Sequence, residues 1–297
     1  MRIGKFITAG LVISLILCLN TPVRASSSSF CPFKDIKGHW AKRYIEMVWA
    51  KGWFQGWLWT GEKFHPDKAI SKGEFCIVLA GAKGLRNKAL SIRSLEPTFT
   101  DTKYKHYSFG YVEVMDGIIN PGYTGIRFHP NQPIPRGVFA AYVTRIMGKE
   151  SEAITRRWEV AKYSDVSRIP AEWVGHIGIA QQYGWISGKL FNRYYPYRAT
   201  TRADVAAFVS RCFIMWNDGW DGTSLNKTIE SFTKTHPASS FSLTLADSAG
   251  SKTAYTVANN CVVYHDGIQK SLQEVIPGRH ARILLGPAGT VTFIDTY

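Results

Sequence analysis

Apolar residues recur at helical spacing in several stretches between residues 33 and 215. In the first stretch, Trp40, Tyr44, Ile45 and Val48 would share one face of a helix. A glycine that favours the end of the helix follows, and then come a turn and a second apolar stretch that begins near Phe75. The same order of features occurs three times. It predicts a mainly α-helical region made of three helix–loop–helix segments.

Three landmarks keep one order and nearly constant spacing in these segments. An aromatic-x-Asp element opens each segment, an aromatic-x-Pro element lies near its middle, and a Lys or Arg stands at the start of the second helix. The cation follows the aspartate by 37, 35 and 37 residues. The aspartates are Asp35, Asp101 and Asp165, and the cations are Lys72, Arg136 and Arg202. This agreement indicates an internal repeat.

The chain divides into parts of different composition. Its first residues are typical of a secretory signal, with Arg2 and Lys5 before an apolar core and small residues before a plausible cleavage point. That core is too short for a comfortable membrane span, so we expect export without a stable span after cleavage, an uncleaved anchor being the alternative. The predicted parts are a signal peptide (1–25), segments one (30–95), two (96–159) and three (160–221), a linker (222–240) and a small β domain (241–297).

The last part of the chain has a different pattern. Short apolar runs separated by Gly, Pro and Asp are typical of strands joined by turns. The predicted strands cover 242–245, 254–257, 262–264, 281–285 and 291–294. They favour a small all-β barrel or sandwich, and the preceding Ser-, Thr- and Lys-rich residues suggest a linker.

Charge and tryptophan concentrate in the helical part. The formal net charge of the chain is +14, and residues 26–220 contain 27 Lys and Arg against 16 Asp and Glu. All ten tryptophans also lie between Trp40 and Trp220. Flat aromatic rings suit the apolar faces of sugars, and a basic surface suits an anionic polymer. A generally solvated basic surface is the alternative interpretation.

The three repeated cations stand where a helix dipole disfavours them, by about 0.3–1 kcal/mol each. A compensating anion is therefore expected at each helix start, where free backbone N–H groups would help to hold it. Since arginine grips a carboxylate through two parallel hydrogen bonds, we expect Arg136 and Arg202 to bind more strongly than Lys72. The alternative is that these cations pair with Asp35, Asp101 or Asp165 and only orient the repeats.

The ordered pattern resembles three tandem S-layer homology domains. The family's His-Trp helix start is present as His39-Trp40, and its Thr-Arg-Ala-Glu helix start as Thr201 to Asp204. Segment two departs from the pattern, because Val138 replaces the acidic residue. The resemblance implies a pseudo-threefold helical arrangement that binds a cell-wall polysaccharide non-covalently, a pyruvylated polymer in many members. The small β modules of some such proteins are similar to the tail.

The resemblance also implies where the polysaccharide binds, namely in the grooves between repeats. The residues it implies are Asp35, Trp40, Gly56 and Lys72 in segment one, Asp101, Tyr107, Gly122 and Arg136 in segment two, and Asp165, Trp173, Gly188 and Arg202 in segment three. Core packing is the alternative role for Trp40 and Trp173, since each begins an apolar helical stripe.

These observations favour an exported cell-surface protein that anchors to the bacterial envelope without catalysing a reaction. The expected partner is a secondary cell-wall polymer or another anionic glycan linked to peptidoglycan, with no cofactor, no metal and no nucleic acid. An envelope carbohydrate-active enzyme targeted by the repeats is the alternative. The sequence contains no phosphate-binding loop, dinucleotide fingerprint or Gly-x-Ser-x-Gly element.

Overall fold

The computed structural model describes residues 31–54, 61–92, 96–119, 127–156, 163–188, 192–215, 224–235, 240–286 and 289–297. Within these residues, helices occupy the chain up to residue 215 and a six-stranded sheet follows. The helices are α1 (Lys42–Ala50), α2 (Lys72–Ala82), α3 (Arg86–Ser91), α4 (Phe109–Ile119), α5 (Arg136–Ile146), α6 (Glu150–Thr155), α7 (Ala171–Gln182) and α8 (Arg202–Val209). The strands are β1 (Ser224–Thr235), β2 (Ser240–Ala246), β3 (Lys252–His265), β4 (Ile268–Lys270), β5 (His280–Leu285) and β6 (Val291–Thr296). The predicted signal peptide lies outside the described residues.

The second helix of each segment begins at the repeated cation. At α2, the Ser71 side chain accepts a hydrogen bond from the Glu74 N–H, and the Glu74 carboxylate accepts one from the Ser71 N–H. Thr201 and Asp204 form the same capping box at α8. Pro135 precedes α5 with an extended backbone and no side-chain cap.

Two short helices, α3 and α6, are additions to the predicted helix–loop–helix pattern. They follow α2 and α5 after tight turns at Gly84 and Gly148, whose φ angles are 69° and 67°. A positive φ favours glycine, so each turn can end one helix and reverse the chain within a few residues. The helix α3 then packs against α4, and α6 packs against α7.

The chain takes a different path after α8. It continues as a π-helical stretch, Ser210–Met215, that packs against α1. The Ser210 hydroxyl donates a hydrogen bond to the Tyr44 carbonyl at 3.2 Å. The guanidinium group of Arg211 lies 5.1 Å from the centre of the Tyr44 ring. The end of segment three is thereby fixed to the first helix of segment one.

Backbone hydrogen bonds join the three segments in a closed ring. The Ile70 N–H donates to the Thr200 carbonyl at 3.0 Å, the Thr200 N–H to the Ile134 carbonyl at 2.8 Å, and the Ile134 N–H to the Ile70 carbonyl at 3.3 Å. The first N–H of each second helix also donates to another segment, but in the opposite cyclic direction. These donor–acceptor pairs are Lys72 to Gln132, Arg136 to Arg198 and Arg202 to Lys68.

The helical core is continuous across the segments. The first helices pack against second helices of another segment, α1 with α8, α4 with α2 and α7 with α5. Near the centre, Phe139 makes edge-to-face contacts with Phe75 and Phe208, with ring centroids 5.7 and 5.4 Å apart. Cys76 and Cys212 are fully buried thiols within this core, in keeping with their apolar helical surroundings in the sequence.

Five of the six strands close into a small barrel. Strands β2, β1, β5, β6 and β3 are neighbours in that order, and a further pairing of β2 with β3 closes the circle. The pairing of β3 with β6 is parallel, and β4 extends β3 as an antiparallel edge. This is the connectivity of a five-stranded Greek-key barrel of the OB type. Its interior contains Ile229, Leu243, Val257, Ile283 and Ile294.

The prediction of a linker at 222–240 is wrong, because most of it forms β1. A register shift between Ile229 and Ser231 marks a bulge in this strand. The bulge brings Phe232 to the same apolar cluster as Ile229, although they are three residues apart. This breaks the period of two that identifies a strand. Another irregularity lies between Val257 and Val262, where β3 joins two strands that the sequence predicts as separate.

The barrel packs directly on α1. Arg43 forms an ion pair with Asp295, which is only 1% exposed, and the Lys42 ammonium donates to the Gln269 side chain at 2.6 Å. The Tyr264 hydroxyl donates to the buried Glu46 carboxylate at 2.6 Å. Four barrel side chains belong to the apolar core of the helical region. They are Val262, Tyr264, Leu284 and Phe293.

Candidate functional site

Each aspartate of an aromatic-x-Asp element holds the aromatic-x-Pro turn of its own segment. The Asp35 carboxylate accepts hydrogen bonds from the backbone N–H groups of Phe64 and His65 at 2.9 and 2.8 Å. Asp101 and Asp165 make the same pair of bonds to residues 128–129 and 194–195. Burial acts to raise the pKa of Asp101, but these hydrogen bonds lower it overall.

The turns that these carboxylates hold share a strained residue. His65, His129 and Tyr195 have φ angles of 55°, 59° and 56°, in the left-handed region. A side chain there is unfavourable unless the surroundings fix the backbone, as the aspartate does. His65, His129 and Tyr195 therefore occupy equivalent positions in the turns of the three segments.

The three repeated cations reach across to another segment. The Lys72 ammonium donates to the Phe128 carbonyl at 3.2 Å, Arg136 Nε to the Tyr194 carbonyl at 2.9 Å, and Arg202 Nη1 to the Phe64 carbonyl at 2.9 Å. Each accepting carbonyl belongs to the turn that an aspartate holds. Segment one thus bonds to two, two to three, and three back to one.

The arginines also form buried ion pairs. Arg202 Nη2 lies 2.7 Å from Glu74 Oε1, and Arg136 Nη1 lies 3.4 Å from Asp204 Oδ2. Arg136 and Arg202 are 3% and 4% exposed. Their partners are the acidic residues of the capping boxes and not the aspartates that the sequence analysis offered as an alternative. At the starts of α5 and α8, the expected anion is therefore a protein carboxylate.

The departure of segment two from the repeat has a structural counterpart. In the cyclic order, the acidic residue that would face Lys72 is replaced by Val138. The segment that lacks the carboxylate is therefore paired with the cation that is not an arginine. Burial lowers the pKa of Lys72, and the charge of Asp101 opposes this effect. A bidentate cation would have no carboxylate partner at this position.

These contacts bear on the predicted binding residues. The guanidinium groups of Arg136 and Arg202 are engaged by protein atoms, and Arg136 Nη2 also donates to the Ser187 carbonyl at 2.8 Å. Direct contact of either arginine with a polysaccharide stays a prediction. The geometry supports the alternative role for both, which is to join neighbouring segments.

An aromatic residue at or just before each first helix lies near the start of a second helix of another segment. The Tyr107 hydroxyl is 3.4 Å from Ser71 Oγ, at the boundary that we call groove one. In groove two, the Trp173 ring lies so close to Gly137 that a Cβ there would be 2.1 Å from its Cε3. In groove three, Trp40 lines a narrow hollow with Asp204. The three predicted aromatics thus lie at three segment boundaries.

The grooves differ in how much aromatic surface they present. Trp40 is 53% exposed, whereas Trp173 and Tyr107 are half-buried. Groove three has Ala203 where the other two have Gly73 and Gly137. An additional methyl group at this position prevents the approach that Gly137 allows to Trp173. Hollows of about 310 and 390 Å³ accompany grooves one and two.

Of the three glycines predicted to bind polysaccharide, the structure describes one, Gly188. Gly188 lies against the Tyr163 ring, because a Cβ there would be 2.6 Å from Tyr163 Cε1. A larger residue would displace that ring, so Gly188 has a packing role. Gly56 and Gly122 lie outside the described residues.

Across the described residues, no group of three or more His, Cys, Asp and Glu side chains is placed to hold a metal ion. No helix in the same part of the chain has the length and apolar character needed to cross a membrane.

Comparison with known families gives the repeated geometry a name. Residues 32–76 and 162–206 match the S-layer homology domain. The first match contains Asp35, Trp40 and Lys72, and the second contains the corresponding residues of segment three. The chain therefore contains S-layer homology domain sequence in two places, one at each end of the helical region.

Several curated proteins are similar to parts of the chain. A cellulosome-anchoring protein from Acetivibrio thermocellus is 33% identical over 90 residues, which is 30% of this chain and 18% of that protein. An amylopullulanase from Thermoanaerobacterium thermosulfurigenes is 24% identical over 180 residues, or 60% of this chain and 9% of the enzyme. Exoglucanase XynX from Acetivibrio thermocellus is also 24% identical over 180 residues, with 60% and 16% covered. The chain spans less than a fifth of the length of each relative.

Proposed function

We propose that this protein anchors non-covalently to the bacterial cell envelope by binding a wall polysaccharide in the grooves between its segments. The observation that carries the proposal is the S-layer homology match at 32–76 and 162–206. Both matched stretches place a tryptophan at a segment boundary, Trp40 just before α1 and Trp173 in α7. The similarity to a protein named for anchoring the cellulosome supports the same function.

All three segments act as S-layer homology repeats in a pseudo-threefold arrangement under this proposal. The support is the cyclic order of equivalent bonds, in which Lys72, Arg136 and Arg202 each bond to a turn of another segment. Segment two takes part in every type of bond in this ring, although its residues fall outside the two matched ranges.

The ligand in this proposal is an anionic secondary wall polymer or another peptidoglycan-linked glycan. Trp40 offers an exposed ring for the apolar face of a sugar, and Trp173 offers part of one. The excess of 27 basic over 16 acidic residues in 26–220 supports an anionic partner, for example one that bears pyruvate groups. The protein would therefore act at the cell surface after export.

Co-sedimentation with purified cell walls tests this function. We expect the protein to sediment with native walls and to stay in solution with walls extracted by hydrofluoric acid, which removes the secondary polymer. Trp40→Ala should weaken sedimentation several-fold, because the apolar face of a sugar can no longer pack on the exposed indole ring. Tyr104→Ala is a matched control, since Tyr104 is also 53% exposed but lies outside the grooves. Failure of the parent protein to sediment with native walls would contradict the proposal.

The chain itself is proposed to bind without catalysing hydrolysis, although two relatives carry enzyme names. In grooves one and three the carboxylates Glu74 and Asp204 are occupied by capping hydrogen bonds and by an arginine. A glycosidase needs one carboxyl group to give a proton and another to act as base or nucleophile. Incubation with purified wall polymer should release no reducing sugar, and measurable turnover would favour the enzyme alternative.

A further inference from the structure

A hollow of about 260 Å³ lies beside the aromatic-x-Pro turn of segment three. Three arginines and two tyrosines line it, together with Asp165 and Pro196. The lining residues that carry the argument are Arg168, Arg193, Tyr195, Tyr197 and Arg198. Its volume is slightly below that of the pockets that hold drug-sized ligands, so it suits a group about as large as one sugar ring.

The three guanidinium groups are exposed, in contrast to those of Arg136 and Arg202. Within the described residues, no ion pair engages Arg168, Arg193 or Arg198. The carboxylate of Asp165 also lines the hollow, but its two oxygens accept the Tyr194 and Tyr195 N–H bonds. Asp165 is the one carboxylate among the lining residues, so three positive charges face a single negative charge and the hollow keeps an excess of positive charge.

The backbone fixes the positions of these arginines. The Arg168 N–H donates to the Asp165 carbonyl at 2.9 Å, and the Arg198 N–H donates to the Tyr195 carbonyl at 3.1 Å. The side chain of Asp165 ties these two turns together through its bond to the Tyr195 N–H. Two of the three arginines thus stand on short turns held by one carboxylate, which limits the entropy that ligand binding would cost.

Aromatic surface adjoins the positive charges. Tyr197 is 68% exposed and meets the Trp173 ring edge-to-face, with centroids 5.6 Å apart. The aromatic surface therefore runs from the hollow to groove two. A tyrosine ring can cover the apolar face of a sugar while its hydroxyl contacts the sugar's oxygens.

Comparison of the three segments shows that this combination occurs in segment three alone among the repeats. The residues corresponding to Arg168, Arg193, Tyr197 and Arg198 are Gly38, Lys63, Asp67 and Lys68 in segment one, and Tyr104, Arg127, Asn131 and Gln132 in segment two. In segment one, the counterpart of Tyr197 is a carboxylate that pairs with His39 at 3.3 Å. The arginine–tyrosine hollow is therefore an addition to the repeat and not part of its shared framework.

We propose that this hollow binds a single anionic group, phosphate or carboxylate, carried on a sugar of the envelope glycan. The arginine forks would hold the anion through paired hydrogen bonds, and Tyr197 would cover the adjoining sugar ring. This site is additional to the three grooves. The inference rests on the proposed wall-binding function for the source of its ligand, and it deepens that function by naming the chemistry of a second contact.

Isothermal titration of the full chain with soluble probes tests the inference at about 0.15 M salt, where long-range charge effects are screened. The probes are an oligosaccharide of glucuronic acid, a glycerol-phosphate teichoic acid and a neutral gluco-oligosaccharide. We expect at least one anionic probe to bind, and the triple variant R168Q/R193Q/R198Q to weaken it by at least about tenfold. Arg198→Lys alone should give an intermediate loss, because it keeps the charge but not the fork.

A matched variant separates the site from overall charge. K63Q/K103Q/K105Q also removes three exposed positive charges, from segments one and two. It should change binding less than about twofold, since screened charges distant from the ligand contribute little. Binding of the glucuronate probe alone would identify a carboxylate site, and binding of the teichoic acid alone a phosphate site. Both results support the inference.

Three outcomes would overturn it. They are equal binding by the parent and the triple arginine variant, equal losses in the arginine and lysine variants, and no binding of either anionic probe to the parent. These outcomes are distinguishable from failure of the proposed function. If the parent sediments with native walls but the triple arginine variant binds every probe as strongly as the parent does, only the proposed anion site is refuted. A parent that fails to sediment refutes anchoring whatever the probes show.

Discussion

The first helices of the three segments are covered on their outer sides in two different ways. In segments two and three, α4 and α7 are covered by the short helices α3 and α6, which follow the preceding second helix after a glycine turn. In segment one, α1 is covered by the π-helical stretch after α8 and by the β barrel. The barrel therefore takes the place of a third short helix.

One position of the repeat has a different residue in each segment, according to the element that covers the first helix. It lies three residues after the groove aromatic and is Arg43 in α1, Gly110 in α4 and His176 in α7. Arg43 pairs with Asp295 of the barrel. Gly110 allows such close approach of α3 that a Cβ would lie 2.0 Å from the Ala89 carbonyl oxygen. His176 bonds to Thr144 at 2.6 Å beneath a hollow that α6 borders.

The repeat therefore specifies a first helix that other elements cover, but it does not specify which elements these are. The residue at this position differs with the element that covers the helix. It is an ion-pairing arginine beneath the barrel, a glycine in close backbone contact with α3, and a buried histidine near α6. The barrel should then matter to the stability of the helical region as much as α3 and α6 do. Four predictions test this equivalence, from the largest expected effect to the smallest.

Removal of the barrel should have the largest effect. A chain that ends at residue 221 would expose the apolar surface that Tyr264 and Phe293 cover, and would leave Glu46 without its partner from the barrel. We expect the free energy of unfolding of the helical region to fall by at least about 3 kcal/mol. Urea denaturation followed by tryptophan fluorescence reports on the helices alone, because all ten tryptophans lie before residue 221. An unchanged urea midpoint would show that the barrel does not stabilise the helical region.

Loss of the buried charge at the interface should come next. Asp295→Asn would leave Arg43 and Arg282 without their shared carboxylate, and we expect a loss of about 3 kcal/mol. Asp266→Asn is the control, since the Asp266 side chain is 60% exposed and asparagine tolerates its positive φ. Chemical denaturation of both variants gives the comparison. Equal stability of the two would mean that the interface does not depend on this pair.

A methyl group at the closest helix contact should cost somewhat less. Gly110→Ala would force α3 away from α4, with an expected loss of about 2 kcal/mol from overpacking. In the same helix, a Cβ at Gly117 would meet nothing within 4 Å. Gly117→Ala should therefore stabilise the protein by up to about 1 kcal/mol. Thermal unfolding should shift in opposite directions for the two variants, and shifts of the same sign would contradict the predicted contact.

The smallest effect is a pH dependence that arises from His176. Burial lowers the pKa of this imidazole, and the charge of Arg145 lowers it further, against a smaller opposite effect of Glu150. The unfolded chain binds a proton at His176 below about pH 6.5, whereas the folded chain resists it. Stability should fall as the pH falls below about 6.5, by at most about 1.4 kcal/mol per pH unit.

The measurement is the melting temperature between about pH 7.5 and pH 5. His176→Gln should flatten the profile relative to the parent, because glutamine does not titrate. His65→Asn is the control, since His65 is exposed and asparagine tolerates its positive φ. A steeper fall for His176→Gln than for the parent would show that the charged imidazole is favoured in the folded state.

Local signals in the sequence were sufficient for much of the helical region. The predicted cations are the first residues of α2, α5 and α8, and the capping boxes that begin at Ser71 and Thr201 span only four residues each. These features depend on a few neighbouring residues, so their spacing alone reveals them. The short helices α3 and α6 lack such signals, because six residues give little periodicity.

Long-range contacts account for what the sequence could not predict. The role of Arg202 depends on the Phe64 carbonyl and the Glu74 carboxylate, more than 120 residues away. The helix dipole favours an anion beside Arg202 at the start of α8, but nothing in the local sequence indicates that the protein itself supplies this anion. In the barrel, the bulge in β1 and the closing of β2 on β3 are likewise invisible to a search for alternation.

The closed ring of hydrogen bonds also sets an order of events during synthesis. Segment one completes its bonds only with segment three, since the Ile70 N–H needs the Thr200 carbonyl and the Arg202 N–H needs the Lys68 carbonyl. Contacts between residues so far apart in the chain are slow to form, and partly formed structures with exposed apolar surface tend to aggregate. Segment one is synthesised first, but it can complete its hydrogen bonds only after segment three has been made. A chain interrupted before residue 200 would have an open ring, with two unsatisfied edges where the native protein has none.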